Sequence, residues 1–359
     1  MNHAVNLSVF SLTHALVDAA CAAMIFGAFK NSGLGIEYSA FLLVLYNVIA
    51  FALQAPIGLA ADKLERPYEA AIAGCILTMA ALFIFNVPLL GVCIAGLGNA
   101  LFHVGGGIVS LNMNPGKATA PGIYVAPGAL GLLTGTLVGN CGAFKAWPFI
   151  LLLIVSSLAI LYLKASGKSF GSGRAEKTSA ASFSHMELIV VLMMAAIALR
   201  ALTGMALDFP WKSDIYLLTG LTIAVVMGKG LGGILADRLG WLKTTVFALL
   251  FSAPLIILGF DHPYLAFAGI FLFNLTMPVT LVAIANVLPG LEGFAFGLST
   301  LAIISGTFPM FTGLKYVFYN KGMILIVILI SAVIIYFGLR LYFKASNKDH
   351  CQFNEGVNL

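Results

Sequence analysis

Long apolar runs separated by short polar breaks extend along the whole chain. Each run is close to the roughly 20 residues that a helix needs to cross the hydrocarbon core of a bilayer. There are twelve of them, at residues 7–29, 38–61, 69–88, 90–113, 120–143, 146–166, 185–207, 215–236, 242–260, 263–287, 293–313 and 318–345. The pattern predicts an all-α membrane protein with twelve transmembrane helices.

One long polar break, rich in Ser, Lys and Gly, divides the runs into six and six. We therefore predict an N-terminal six-helix bundle over 1–166 and a cytoplasmic linker over 167–184. A C-terminal six-helix bundle follows over 185–345, and a cytoplasmic tail covers 346–359. The other breaks are short, so no separate soluble domain is expected.

A short motif at the end of the second run recurs half a chain later, at the end of the eighth. Each copy has a small residue, three spacers, an aspartate and a cation; the residues are Gly58, Asp62, Lys63 and Arg66 in the first and Gly233, Asp237 and Arg238 in the second. We expect the glycine to allow close helix approach. The aspartate should cap the next helix or pair with a cation. The duplication predicts two pseudo-symmetric halves, which usually hold a site between them.

The composition supports a membrane protein, with 60% hydrophobic and 9% charged residues, against about 25% charged in soluble domains. The net charge of +5 is scattered over short loops, so nucleic acid is not an expected partner. The five cysteines show no metal-binding spacing and are interpreted as reduced core residues. We expect no metal and no cofactor.

Lysines and arginines concentrate in the loops on one side of the predicted bundle. That side holds Lys63, Arg66, Lys117, Lys164, Lys168, Arg174, Lys177, Arg238, Lys243, Arg340, Lys344 and Lys348, and the other side holds Lys30, Lys145, Lys212, Lys315 and Lys321. The positive-inside rule then predicts a multi-pass protein of the cytoplasmic membrane with both termini in the cytoplasm.

Three titratable residues in the first half are candidates for proton coupling or for a substrate cavity. His14 and Asp18 are four residues apart, so they share a helix face. A carboxylate inside a membrane helix usually faces a cavity or a partner, so the pair either titrates or fixes helix packing. His103, which precedes the Gly105–Gly107 run, is either a cavity residue or a satisfied core histidine. Our hypothesis is that Asp18 carries the proton and that His14 modulates it. His103 is the next candidate for the carrier.

The second half offers two cations inside apolar runs. Arg200 either pairs with Asp208 or receives an anionic group, and Lys229 is expected to snorkel or pair near the cytoplasmic face. Gln54 and Asn274 are further candidates for lining a polar cavity.

The duplicated loop resembles the signature of the major facilitator superfamily of transporters. The second copy fits the signature well, whereas Glu65 of the first copy stands where glycine is usual. Ser11, Thr13, His14 and Asp18, together with Gln54, Gly58, Asp62, Lys63, Phe102 and His103, resemble the fosmidomycin-resistance branch of drug exporters. Gly128, Gly131 and Gly135 in the fifth helix resemble the glycine motif of exporters in the superfamily.

The resemblance implies a secondary active transporter, acting as a monomer in the bilayer, that exports a small organic solute, anionic or drug-like, by alternating access with proton coupling. The alternatives are an importer or uniporter of a small metabolite, or an intramembrane enzyme acting on lipid. No nucleophile elbow, metal motif or paired acidic motif supports an enzyme.

Overall fold

Twelve long helices make up the protein in the computed structural model, which describes residues 2–31, 33, 35–142, 144–167, 185–312 and 314–356. The helices are α1 (Asn2–Asn31), α2 (Ile36–Leu64), α3 (Pro67–Phe83), α4 (Pro88–Met113), α5 (Thr119–Asn140), α6 (Ala146–Ala165), α7 (Met186–Ala206), α8 (Ile215–Leu239), α9 (Trp241–Leu258), α10 (Pro263–Val287), α11 (Glu292–Phe311) and α12 (Lys321–Gly356). Within the described residues, eleven of them are long and apolar enough to span a membrane, and α3 is shorter at 17 residues.

The predicted all-α architecture of twelve apolar helices is confirmed, although some boundaries differ. The last helix begins at Lys321, and a separate helical turn, Lys315–Phe318, precedes it. It continues to Gly356, past the predicted end at 345. The predicted linker 167–184 lies outside the described residues, apart from Gly167.

Three helices are irregular at mid-length. A π-helical turn, Val48–Ala52, lies within α2, and α5 and α10 are each interrupted for two residues, at 126–127 and at 275–276. Proline explains both interruptions, because Pro127 and Pro278 lack the N–H that would bond to the carbonyl four residues earlier. Backbone carbonyls in these stretches are therefore available to side chains from other helices.

The two halves, α1–α6 and α7–α12, meet along two equivalent helix pairs. The end of α2 packs on α11, and α8 packs on α5. Glycine makes both crossings close: a Cβ on Gly58 would collide with the backbone of Gly293, and one on Gly233 with the backbone of Ala118. The glycines of the duplicated motif thus serve contacts between the halves, not the contact to the next helix.

The turn that follows each motif needs a positive φ angle. Gly240 ends α8 at a φ of 99°, and Glu65 ends α2 at a φ of 53°. For an L-residue with a Cβ this left-handed conformation costs about 1–2 kcal/mol. Glu65 therefore occupies a backbone position suited to the glycine that the superfamily signature has there.

We predict that Glu65→Gly stabilises the protein by about 0.5–1 kcal/mol, since relief of the left-handed strain exceeds the added entropy of the unfolded chain. The thermal unfolding midpoint in detergent should rise. Glu65→Ala is the matched control, because it removes the carboxylate but keeps the Cβ, and it should not raise the midpoint. An equal rise in both variants would show that charge, not conformation, is responsible.

Candidate functional site

Asp62 joins the end of α2 to the start of α11 in the other half. Its carboxylate accepts hydrogen bonds from the backbone N–H groups of Gly293 and Phe294, both at 2.8 Å. These are unpaired donors of the first helical turn, where the helix dipole also favours negative charge. The aspartate therefore acts as a cap supplied by a different part of the chain.

Asp237 makes the equivalent junction between α8 and α5. It accepts from the backbone N–H groups of Ala118 and Thr119, at 3.0 and 2.9 Å, and from the Thr119 hydroxyl at 2.7 Å. The indole of Trp241 also donates to it, at 3.0 Å. The expectation that each aspartate caps its own next helix or pairs with a loop cation is wrong, because both caps cross between the halves.

His14, Asp18 and His103 form one cluster, here called the His–Asp–His cluster, in which both histidines are buried and Asp18 is partly exposed. The two Nε2 atoms are 2.8 Å apart, and the Asp18 carboxylate lies 3.2 Å from His14 Nε2 and 3.5 Å from His103 Nε2. Asn99 donates to the same carboxylate at 3.0 Å. One ligand atom from each of the three residues falls within 4.8 Å of the others, a spacing within reach of a metal ion.

The cluster is positioned by α1, α4 and the interruption in α5. Pro127 cannot donate to the carbonyl of Ile123, which instead accepts from the Ser11 hydroxyl of α1 at 3.4 Å. The neighbouring carbonyl, of Tyr124, accepts from His14 Nδ1 at 2.9 Å. Proline in α5 thus helps to fix the histidine of α1.

The glycines predicted as a motif in α5 lie against α1. A Cβ on Gly128 would come within 2.7 Å of Asp18 Oδ2 and would also meet His14 Nε2. A Cβ on Gly131 or Gly135 would collide with the backbone of Ala15 or Ala19. These glycines allow α5 to approach the cluster closely.

The Gly105–Gly107 run of α4 also serves packing. Added Cβ atoms at its three positions would collide with α3 at Ala71, with Tyr124 of α5 and with Phe296 of α11, respectively. Three helices therefore reach α4 next to His103.

A cavity of about 570 Å³ lies between the halves. Its wall comes from α5 of the first half and from α7, α8, α10 and α11 of the second, and it extends to Lys212 in the α7–α8 loop. Most lining side chains are apolar. The charged ones, within the described residues, are all cations: Arg200, Lys212 and Lys229.

Arg200 reaches the cavity from α7 without an acidic partner. Its guanidinium donates to the hydroxyls of Thr276 and Thr280 on α10, to the latter at 3.0 Å. No carboxylate in the described part of the chain lies at ion-pair distance, so the alternative of a pair with Asp208, which is exposed, is wrong. The neutral hydroxyls orient the guanidinium but leave its charge uncompensated.

Lys229 also lines this cavity, which corrects the expectation that it snorkels to the cytoplasmic face. Its charge interacts electrostatically with Arg200 in the cavity wall and with Asp18 of the His–Asp–His cluster. Asn274 lines the cavity beside the break in α10, where it donates to Ile270 O at 2.9 Å. Gln54 does not line the cavity: it is buried in α2 and donates to Ala50 O at 2.7 Å.

Sequence reasoning missed Asn99, Thr276 and Thr280 as members of the site. Single hydroxyl and amide side chains in apolar helices carry no distinguishing pattern. Thr276 and Thr280 are, however, four residues apart on α10, and that spacing places them on one helix face.

The sequence is similar to that of a transporter. The chain is 28% identical over 294 residues to the uncharacterized MFS-type transporter YfnC of Bacillus subtilis (strain 168), across 70% of this chain and 71% of that protein. No protein-family model matches the chain.

The fold is similar to that of solved transporters of the major facilitator superfamily. A variant of the E. coli fucose:proton symporter FucP superposes with a TM-score of 0.69 at 12% identity, over 95% of this chain and 99% of FucP. A bacterial homologue of the iron transporter ferroportin, in an outward-facing state, gives 0.61 at 13% identity, also over 95% and 99%. The chain therefore has the major facilitator fold, and together with the sequence match this supports an MFS-type transporter.

The contact of α5 with α1 gives a stability prediction. Gly131→Ala should destabilise the protein by about 1–3 kcal/mol, because the new methyl group pushes the two backbones apart. Gly204→Ala in α7 is the matched control: a Cβ there meets nothing within 4 Å, and removing a helical glycine should stabilise by about 0.5–1 kcal/mol. Thermal unfolding in detergent measures both, and unfolding midpoints that change in the same direction would contradict the packing argument.

Proposed function

We propose that this chain is a secondary transporter that moves a small organic anion with an apolar body across the cytoplasmic membrane by alternating access. The main observation in support is the cavity between the halves, because its charged lining groups in the described residues are all cations. Its volume, about 570 Å³, lies within the range of about 300–1,000 Å³ typical of sites for small organic ligands.

Arg200 supports an anionic group on the solute. A guanidinium buried without a counter-ion is costly, and a carboxylate or phosphonate could both neutralise it and bind in the bidentate manner that arginine favours. Lys229 and Lys212 would add attraction along the same wall. The apolar remainder of the wall suits a ring or alkyl group.

The two aspartate caps support alternating access. Asp62 and Asp237 hold the halves together at the end where the duplicated loops lie, and the cavity extends toward the opposite end, to Lys212. With the termini and the duplicated loops cytoplasmic, as the cation distribution predicts, the cavity is outward-facing. Release of both caps would let the cytoplasmic ends of the halves separate.

Proton coupling through the His–Asp–His cluster forms part of the proposal. The cluster lies between α1 and α4, and Lys229, which lines the cavity, interacts electrostatically with its Asp18. Outward transport rests on the resemblance to exporters alone and stays a prediction, as do monomeric action and the cytoplasmic position of both termini.

The solute class is tested with three ligands that share a ring and differ in charge: phenylphosphonate, benzamide and benzylammonium. Only the anion should raise the thermal unfolding midpoint, because a ligand bound by the folded state alone stabilises it. With Arg200→Lys, at least about tenfold more phenylphosphonate should be needed for the same rise of the midpoint, since lysine cannot form the planar, bidentate contact of a guanidinium. Arg340→Lys, at an exposed position on α12, is the control. Stabilisation by benzylammonium but not by phenylphosphonate would refute the anion proposal.

The gate is tested with Asp62→Asn and Asp237→Asn. In each variant one accepting oxygen becomes an NH₂ group and the other becomes a neutral acceptor, so part of the contribution of about 1.5–3 kcal/mol per charge-assisted hydrogen bond is lost. The outward-facing state should therefore become less populated. A single cysteine at Thr222 in the cavity, in a cysteine-free background, should then react more slowly with an impermeant maleimide applied outside. Asp261→Asn, at an exposed ion pair with Lys321, should leave the rate unchanged. Wild-type labelling rates in both gate variants would exclude the gating role.

A further inference from the structure

The hydrogen bonds of His14 and His103 determine where their protons lie. His14 Nδ1 is 2.9 Å from the carbonyl oxygen of Tyr124, and His103 Nδ1 is 2.9 Å from that of Asn99. A carbonyl oxygen only accepts hydrogen bonds, so each Nδ1 must carry the hydrogen. In a neutral imidazole the other nitrogen is then a bare acceptor.

The two Nε2 atoms nevertheless face each other at 2.8 Å. If both rings were neutral, two lone pairs would meet at this distance and repel. One added proton converts the contact into an N–H···N hydrogen bond of ordinary length. A metal ion fits less well, because two imidazoles at zinc–nitrogen distances of about 2.0–2.1 Å in a tetrahedral site hold their nitrogens roughly 3.3 Å apart.

A proton on Asp18 would not remove the repulsion between the two Nε2 lone pairs. A carboxylic acid could donate to His14 Nε2, but the His103 lone pair would still face His14. Asp18 Oδ1 also accepts a hydrogen bond from Asn99 at 3.0 Å, which stabilises a negative charge there. An ionised Asp18 beside one imidazolium leaves the cluster neutral, which avoids the cost of an unbalanced charge inside the membrane.

We infer that, in this outward-facing conformation, His14 and His103 share a single proton between their Nε2 atoms, with Asp18 as the counter-ion. The inference rests on the proposed transport function and places the coupling proton on the histidine pair. The histidine pair, and not Asp18, then binds and releases the coupling proton. Asp18 is a positioning residue whose negative charge stabilises that proton.

Release of the proton changes both the packing and the charge of the cluster. The facing lone pairs would drive the imidazoles of α1 and α4 apart, and Asp18 would be left as a net negative charge. Outside the cluster, the titratable groups that interact electrostatically with Asp18 are Cys21, Tyr46 and Tyr124 in the first half and Lys229 on α8. Lys229 also interacts electrostatically with His103, where its positive charge opposes protonation. Lys229 is the cation among these groups, so deprotonation should draw α8 toward α1.

The test is ¹⁵N NMR of histidine-labelled protein in lipid nanodiscs, between about pH 5.5 and 8.5. His14→Gln and His103→Gln assign the two signals, and exposed His262 serves as an internal reference. We expect the His14 and His103 nitrogens to titrate together as one coupled unit that takes up one proton, and each substitution to abolish the shared signal. Two independent titrations, or two neutral rings throughout, would overturn the inference. So would stoichiometric binding of Co²⁺ by the wild-type cluster in preference to the proton.

A second arm separates the histidine pair from Asp18 as the carrier. In proteoliposomes, with phenylphosphonate as solute, His103→Gln should lose at least about tenfold in proton-driven transport yet retain solute exchange. Asp18→Asn should keep proton-driven transport with its pH profile moved to lower pH, because an imidazolium without its counter-ion holds the proton less tightly. Loss of proton drive in Asp18→Asn with a normal response in His103→Gln would reverse the assignment. The NMR arm needs no solute, so failure of the transport proposal and failure of this inference remain distinguishable.

Discussion

Inside a bilayer, every charged or strongly polar group must be balanced by the protein itself, because lipid supplies neither water nor counter-ions. This constraint accounts for most of the polar architecture described above. Asp62 and Asp237 are balanced by helix N-termini of the opposite half, and Asp18 by the histidine pair and Asn99. Arg200 is an exception, since hydroxyl groups hold it without neutralising it. An unbalanced cation in a cavity wall is therefore the feature that most directly suggests a solute.

Helix irregularity and small residues make this balancing possible. Pro127 interrupts α5 and frees a carbonyl beside the one that fixes His14. Gly128 removes the side chain that would otherwise occupy the space of the cluster, and Gly58 and Gly233 bring the capping aspartates up to the opposite half. In a helical membrane protein the backbone is already satisfied within each helix, so breaks and glycines are where it can approach and bind side chains from elsewhere.

The helices and the two-fold repeat could be predicted from sequence because both are local patterns. Apolar runs give the helices, and the motifs at Asp62 and Asp237 reveal the related halves. The spacing of His14 and Asp18 also predicts a shared face. The partners could not be predicted: Asp62 bonds to Gly293, far along the chain, and nothing local connects His103 to α1. Lys229 was misplaced for the same reason, since its environment is set by helices of both halves.

The proposed shared proton and the proposed anion would both act on Lys229, which lines the cavity and interacts electrostatically with Asp18. With the proton bound, the cluster is neutral and Lys229 is available to an anion in the cavity. Without the proton, the negative charge of Asp18 would compete with the anion for the ammonium group of Lys229. Anion and proton should thus favour each other's binding, by the reciprocity that linkage requires. Were the proposed anion and proton to favour each other's binding, they would be carried together, as in a symporter, whereas the resemblance to exporters implies exchange of proton for solute. The charge arrangement around Lys229 thus makes the direction of coupling a separate question from the resemblance to exporters.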